Sequence, residues 1–197
     1  MVHWGQKIGK FCEAPRLADP EVSLRDLHSF ADKRCKNILQ SKYENAWEKK
    51  RIDLSKNSKL DLYITLKRNF GAESYLDSTD WKLRKAITKM RVSAHGLPVE
   101  TGRYLGIPRI EHICPACNNG VGNEAHYLVQ CQNVKIKAIR DPILDQISNS
   151  DPSFLSLGVE EKCDYLLACR NPLQFENIGY LCLKIQSTFK EVCPRET

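Results

Sequence analysis

Cys114, Cys117, His126 and Cys131 stand in the order C-x2-C-x8-H-x4-C, a spacing able to wrap one tetrahedral zinc ion in three thiolates and one imidazole. Only Pro115 and Ala116 separate the first two cysteines, so one tight turn aims both sulfurs at the same point. Asn118, Asn119, Gly120, Val121 and Gly122 then form a connection whose glycines tolerate the positive φ angles needed to bring back the second ligand pair. Four protein ligands close the coordination shell and leave no position for a substrate water, so the chemistry implied is structural rather than catalytic.

The stretch from Cys114 to Cys131 carries few bulky apolar groups, mainly Val121, Tyr127, Leu128 and Val129. It cannot bury enough surface to offset its own ordering entropy. Zinc supplies the difference, with apparent binding free energies of roughly 10–16 kcal/mol in small zinc modules. The competing reading, ordinary buried cysteines beside an accidental histidine, draws on a total of nine cysteines. The compact run of pair, loop, histidine and cysteine favours metal. His112 and His95 are alternative fourth ligands, and both read more simply as capping or surface histidines.

The elements that position this module must come from a chain of 197 residues, 42% of them hydrophobic, long enough for a real core in one domain with an appendage or in two small lobes. No apolar run approaches the ~20 residues needed to span a bilayer. The start, Met1-Val2-His3-Trp4-Gly5-Gln6-Lys7, lacks the apolar stretch of a secretory signal. The expected compartment is the cell interior, nucleus or cytoplasm, where an odd cysteine count argues for reduced thiols and metal. The other cysteines, Cys12, Cys35, Cys163, Cys169, Cys182 and Cys193, read as small apolar filler on helices.

Helical periodicity dominates. From Val22 to about Lys50 the positions Leu24, Leu27, Ala31, Cys35, Ile38 and Leu39 recur at three- and four-residue steps, predicting a long amphipathic helix with Ser23 as N-cap and Lys49, Lys50 and Arg51 at its end. Leu54 to Ser58 reads as a linker. Leu60, Leu62, Ile64 and Leu66 alternate with Asp61, Tyr63, Thr65 and Lys67, a two-residue period that favours a short strand over a helix. Asp77-Ser78-Thr79-Asp80 is a capping cluster before a helix from Trp81 to Met90 with Leu83, Ala86, Ile87 and Met90 on one face. Val134 to Ile147 predicts a helix that breaks and restarts at Asp141-Pro142, and Asp151-Pro152 and Asn171-Pro172 repeat that start signal. The last helix carries Ile178, Leu181, Cys182, Ile185 and Phe189 on one face, expected to pack against the helix containing Tyr165, Leu166 and Leu167.

Charge is uneven. Net charge is +6, but residues 1–112 hold 22 Lys+Arg against 14 Asp+Glu, and residues 113–197 hold 8 against 10. Between Trp81 and Arg91 stand Lys82, Arg84, Lys85, Lys89 and Arg91 without one acidic residue, a surface suited to phosphate backbones. The loop that leads to the first metal cysteines adds Arg103, Tyr104 and Arg109, residue types that clamp phosphate and stack on unpaired bases. The bland alternative is a solvated helix face and an ordinary loop. A zinc bound by three thiolates and a neutral imidazole carries a net charge of about −1, so attraction for phosphate must come from these neighbours.

The run from Lys85 through Arg91, Ser93, Ala94, His95, Leu97, Glu100, Gly102, Arg103 and Tyr104, followed by Cys114-Pro115-Ala116-Cys117 and by Asn123-Glu124-Ala125-His126-Tyr127-Leu128-Val129-Gln130-Cys131, resembles the C-terminal zinc-binding region of reverse transcriptases encoded by non-LTR (LINE-type) retrotransposons. That family shows a similar R-x-S-A-H-x-L-x-x-E-x-G-R-Y stretch before a Cys-Cys-His-Cys module. The resemblance spans roughly residues 55–190 and is specific from 85 to 131. It implies a nucleic-acid-associated zinc module at the end of a larger polymerase, with Cys114, Cys117, His126 and Cys131 as metal ligands. The polymerase signature, Tyr/Phe-x-Asp-Asp, does not occur, so this chain alone is not expected to polymerise.

These readings predict a mainly α fold with an inserted zinc module and at most a short β element. Its segments are an amphipathic helical extension (1–54), a basic helical segment (55–112), the zinc module (113–132) and a C-terminal helical segment (133–197) that packs with 55–112. The expected function is non-catalytic binding of single-stranded RNA or DNA through Lys82, Lys85, Lys89, Arg91, Arg103, Tyr104 and Arg109, with neither membrane nor small-molecule substrate. One rival is a zinc-stabilised scaffold that docks a protein partner through the N-terminal helix. The other is a magnesium-dependent nuclease fragment built on Asp151, Glu160 and Lys162 in a D-x8-E-x-K pattern, which needs paired strands where Pro152 and Leu166-Leu167 favour helices.

Overall fold

The computed structural model describes residues 24–54, 58–77 and 80–193. Cys12, the Ser23 cap, most of the 54–58 linker and the Ser78-Thr79 part of the capping cluster lie outside them. The fold is mainly α. The only β pairing among the described residues is an isolated antiparallel bridge, Ile113 with Val121. No described helix is long and apolar enough to cross a membrane.

The chain divides into two compact units between Lys50 and Arg51. Helix α1, Leu24–Leu54, makes up the described part of the first and runs four residues past the division. Lys36 pairs with Asp32 at 2.9 Å and Gln40 donates to Glu44 at 2.8 Å, both one helical turn apart, the spacing at which side chains on one helix face meet. Ala31, Cys35, Ile38 and Leu39 of the expected apolar stripe are all exposed, Ile38 at 42% and Leu39 at 52%.

In the second unit the expected strand over Leu60–Leu66 is instead helix α2, Asp61–Leu66. A lone strand would leave a row of backbone groups unpaired, whereas a helical turn satisfies its own. Leu62 and Leu66, four residues apart, then pack on the core, and Ile64 is buried as well. Helix α3, Trp81–Arg91, starts where Asp80 accepts the Lys82 N–H at 2.7 Å. It stops in a Schellman arrangement, with Ala94 N–H donating to Lys89 O at 2.8 Å and Ser93 N–H to Met90 O at 3.3 Å. The residue in the left-handed position is Ser93, at φ 48°, where glycine is usual.

Helix α4 is Pro98–Arg103, with proline in its first turn. Helix α5, Val134–Ser150, runs unbroken through Pro142. The expected restart does not occur: the proline costs the one N–H that would reach the Ala138 carbonyl, and buried Ile136, Ile143 and Ile147 hold both halves to one core. Asp151-Pro152 and Asn171-Pro172 do cap turns, but short ones, Pro152–Ser156 and Pro172–Gln174. Helices α6, Val159–Ala168, and α7, Phe175–Val192, complete the unit.

The stripe of α7 packs mainly on α3 and α5, not on α6 as the sequence suggested. Gly179 explains the choice, since a Cβ there would stand 2.7 Å from Leu83 Cβ and 3.5 Å from Ile87 Cδ1. With no side chain, α7 settles against α3 closely enough for Gln186 to donate to the Ala86 carbonyl at 3.2 Å. Gly179→Val is therefore expected to lower unfolding free energy by about 1–3 kcal/mol, the usual cost of overpacking. Urea denaturation would read this, and unchanged stability would mean that the helices do not meet there.

Candidate metal centre

The first ligand pair sits on a hairpin-like knuckle. The Cys114 N–H donates to Gly120 O at 2.9 Å, the Asn118 N–H to Cys114 O at 2.8 Å and the Gly122 N–H to His112 O at 2.7 Å. Asn118 and Gly120 take positive φ, 52° and 72°, conformations asparagine and glycine adopt most easily. Gly122 does not. Its absent side chain serves close packing, because a Cβ there would lie 2.8 Å from Pro98 Cγ.

The second pair uses a different device. Five residues of α-helix rotate a side chain by about 500°, leaving residues i and i+5 some 140° apart. The chain instead takes a π-helical turn over His126–Gln130, in which the Cys131 N–H donates to His126 O at 2.7 Å. That wider turn brings the x4-spaced ligands to one side, a use of π geometry common at functional sites. Asn123 starts it by accepting the His126 N–H through Oδ1 at 2.8 Å.

The four donor atoms lie within 4.8 Å of one another. Bonds of about 2.3 Å to sulfur and about 2.0 Å to nitrogen would set tetrahedral edges near ~3.8 Å between sulfurs and ~3.5 Å between sulfur and nitrogen. The Cys114–Cys131 Sγ separation is 3.9 Å and Cys117 Sγ lies 3.3 Å from His126 Nε2. The Cys3His set therefore fits one metal ion. Cys114, His126 and Cys131 are buried, while Cys117 is half-buried.

Surrounding groups fix the ligands, as outer contacts do in metal sites generally. Asn133 caps α5 by accepting from Lys135 and Ile136, and its Nδ2 donates to Ala116 O in the knuckle at 3.0 Å. Arg140 Nη1 donates to Cys131 O at 2.8 Å. The Tyr127 hydroxyl lies 3.0 Å from Cys114 Sγ, and its ring meets Phe189 of α7 edge-on at 5.3 Å. The Cys131 thiol, the nearby His126 ring and the Tyr127 phenol together hold the Cys114 thiol down at about 3 against burial. The same Cys114 contact pushes Cys131 up. Burial and that neighbouring sulfur push the Tyr127 phenol up as well, so the phenol stays a donor to a thiolate.

His95 and His112 are neither ligands nor surface groups; both are buried. His95 Nε2 lies 2.9 Å from Glu124 Oε1, and the Ser93 hydroxyl donates to that oxygen at 2.7 Å. Burial works to raise the Glu124 carboxyl, but the His95 ring and the Ser93 hydroxyl hold it below the usual carboxylate range. This contact accounts for the strained Ser93, whose hydroxyl ties the end of α3 to the residue two before His126. His112 fills the space beside Gly102, where any Cβ would overlap its ring. The positioning contacts of Glu124, Tyr127, Asn133 and Arg140 could not be read from the sequence, because their partners are distant or backbone.

The expected nucleic-acid residues separate into two groups. Lys82, Lys85, Lys89, Tyr104 and Arg109 are exposed, and among the described residues none of the three lysines sits in an ion pair. Arg103 is half-buried, 3.1 Å from Glu100 with its guanidinium 4.9 Å from the Tyr104 ring centre. Arg91 does not belong with them: it is fully buried. Its Nη1 donates to Leu167 O at 2.5 Å, its Nη2 lies 3.0 Å from Glu73 Oε1, and its guanidinium covers the Tyr75 ring. The Glu73 approach is an ion pair without hydrogen-bond alignment.

Cys163, Cys169 and Cys182 are buried thiols outside the cluster; burial pushes Cys169 up to about 12 and the other two upward as well, which makes them inert filler. Cys35 is exposed and Cys193 half-buried, so the filler reading does not extend to them. Asp151 accepts from Ser153 and from the Tyr165 hydroxyl, and Lys162 lies over the Phe154 ring. Glu160 is exposed in the first turn of α6, and no strand pair among the described residues gathers the three. No protein-family model, curated protein or solved structure matches the chain.

Proposed function

We propose that the cluster holds one structural zinc and that the protein is a non-catalytic, nucleic-acid-associated module related to the zinc-binding region of LINE-type reverse transcriptases. Three thiolates and an imidazole are a zinc donor set, and four protein ligands leave no open coordination position. The observation that carries the nucleic-acid reading is the row of Lys82, Lys85 and Lys89 on α3, exposed and without a carboxylate partner among the described residues. Arg109 and Tyr104 add a fourth cation and an exposed ring. The preferred ligand is single-stranded RNA or DNA.

Titration of labelled single strands tests this reading. Replacing Lys82, Lys85 and Lys89 together by alanine is expected to weaken binding and to flatten the dependence of log K on log salt by about 2, at roughly 0.7 per phosphate contact. Wild-type protein that binds no RNA or DNA strand at low salt would defeat the proposal. A protein-docking role for α1 would then take precedence, favoured by the exposure of Ile38 and Leu39.

A further inference from the structure

We propose that the single strand lies in one continuous trough between α3 and α7, with Trp81 as a base-stacking platform and Lys190 as an added phosphate contact. This rests on the nucleic-acid reading above and assigns it a path. Three concavities share walls. The first, about 270 Å³, is bounded by Trp81, Lys82, Lys85 and Lys89 of α3 and by Leu183 and Gln186 of α7. Lys89 and Gln186 also wall the second, about 550 Å³, which adds Lys190. His95, Gly96 and Phe189 are common to the second and third, and the third opens toward Tyr104 and Pro115 of the metal knuckle.

The chemistry along this path is ordered. Trp81 is 57% exposed although it is the largest apolar side chain on α3, and exposure of such a ring inside a groove suits a flat apolar ligand. The Lys85 ammonium lies 5.3 Å from the ring centre, so a site for a base and a site for its phosphate stand side by side. Four lysines follow one another along the first two concavities. At the far end Glu100 is paired with Arg103 and Glu111 lies on the wall, which places the phosphate-binding part of the trough at the α3/α7 end. A duplex hides its bases from such a ring; an unpaired base reaches it.

Anisotropy titrations of labelled single strands and of the matching duplex, with Trp81→Ala, Trp81→Phe and Lys190→Ala, test the path. Trp81→Ala is expected to weaken single-strand binding by about 5- to 150-fold, the equivalent of ~1–3 kcal/mol per stacked base. The salt slope should stay unchanged, Trp81→Phe should restore most of the loss, and duplex binding should not respond. Lys190→Ala should lower the slope by about 0.7. Circular dichroism melts establish that the variants are folded. If Trp81→Ala binds single strands like wild type, or weakens duplex and single strand equally, the trough is overturned, while a flattened slope in the triple-lysine variant would leave the basic helix standing. Absence of wild-type binding at low salt overturns both.

Discussion

Cys131→Ser is expected to abolish stoichiometric metal binding, about one zinc per chain in the wild type, and to unfold the segment from Ile113 to Gln132. Apparent zinc affinities of roughly 10–16 kcal/mol in structural sites match or exceed the roughly 5–15 kcal/mol by which whole domains are stable. The module has little to set against that loss. Its buried apolar side chains, Tyr127 and Leu128, belong to the core shared with the helices, so their release would open that core as well. The effect should exceed any cavity created by removing a sulfur. Cys182→Ala, which empties a buried thiol on α7 away from the cluster, provides the comparison: full metal content and a stability loss of about 1 kcal/mol. Metal analysis with thermal unfolding distinguishes the two variants, and chelation of the wild type should reproduce Cys131→Ser. A Cys131→Ser protein that retained one zinc and melted like wild type would remove the site.

The ligand set could be read in the sequence because its geometry is local. One two-residue gap, one Asn/Gly loop and one four-residue gap contain the whole cluster. The start of α3 was legible for the same reason, since Asp80 caps the residues that follow it, and so was the apolar stripe of α7. Where sequence and structure part, the deciding partner lies far along the chain. Nothing near His95 announces Glu124, which is 29 residues away, and nothing near His112 shows the space left by Gly102. The alternation from Leu60 to Lys67 is too short to distinguish strand from helix without knowing that no strand among the described residues stands beside it. Pro142 stops a helix in isolation, yet burial of Ile136, Ile143 and Ile147 on one side carries α5 through it. The choice of α3 over α6 as partner for α7 turns on Gly179, a residue whose contribution is the absence of a side chain.

Arg91→Ala is expected to destabilise the fold by about 3–5 kcal/mol, the usual result of removing one partner of a buried ion pair. A cation on a basic helix is ordinarily assigned to phosphate, and the sequence alone gave Arg91 that role. Its surroundings give it another. The side chain joins the end of α3 to the Leu167 carbonyl on α6 and to Glu73, while Lys67 approaches the same Glu73 oxygen at 3.0 Å. Truncation would leave that carbonyl without its charged donor, Glu73 with one cation fewer, and a void beside Tyr75. If the cost comes mainly from the carboxylate, Arg91→Met combined with Glu73→Gln should recover part of it, since a long apolar side chain fills the space and no carboxylate is left facing it, while Lys67 keeps its bond to the Gly71 carbonyl. Urea denaturation of the two single variants and the double variant would measure this coupling. Nucleic-acid titration below the unfolding transition provides the opposite test: Arg91→Ala should keep the wild-type salt slope, whereas the triple-lysine variant should not. A stable Arg91→Ala protein with a reduced salt slope would return Arg91 to the phosphate-binding surface.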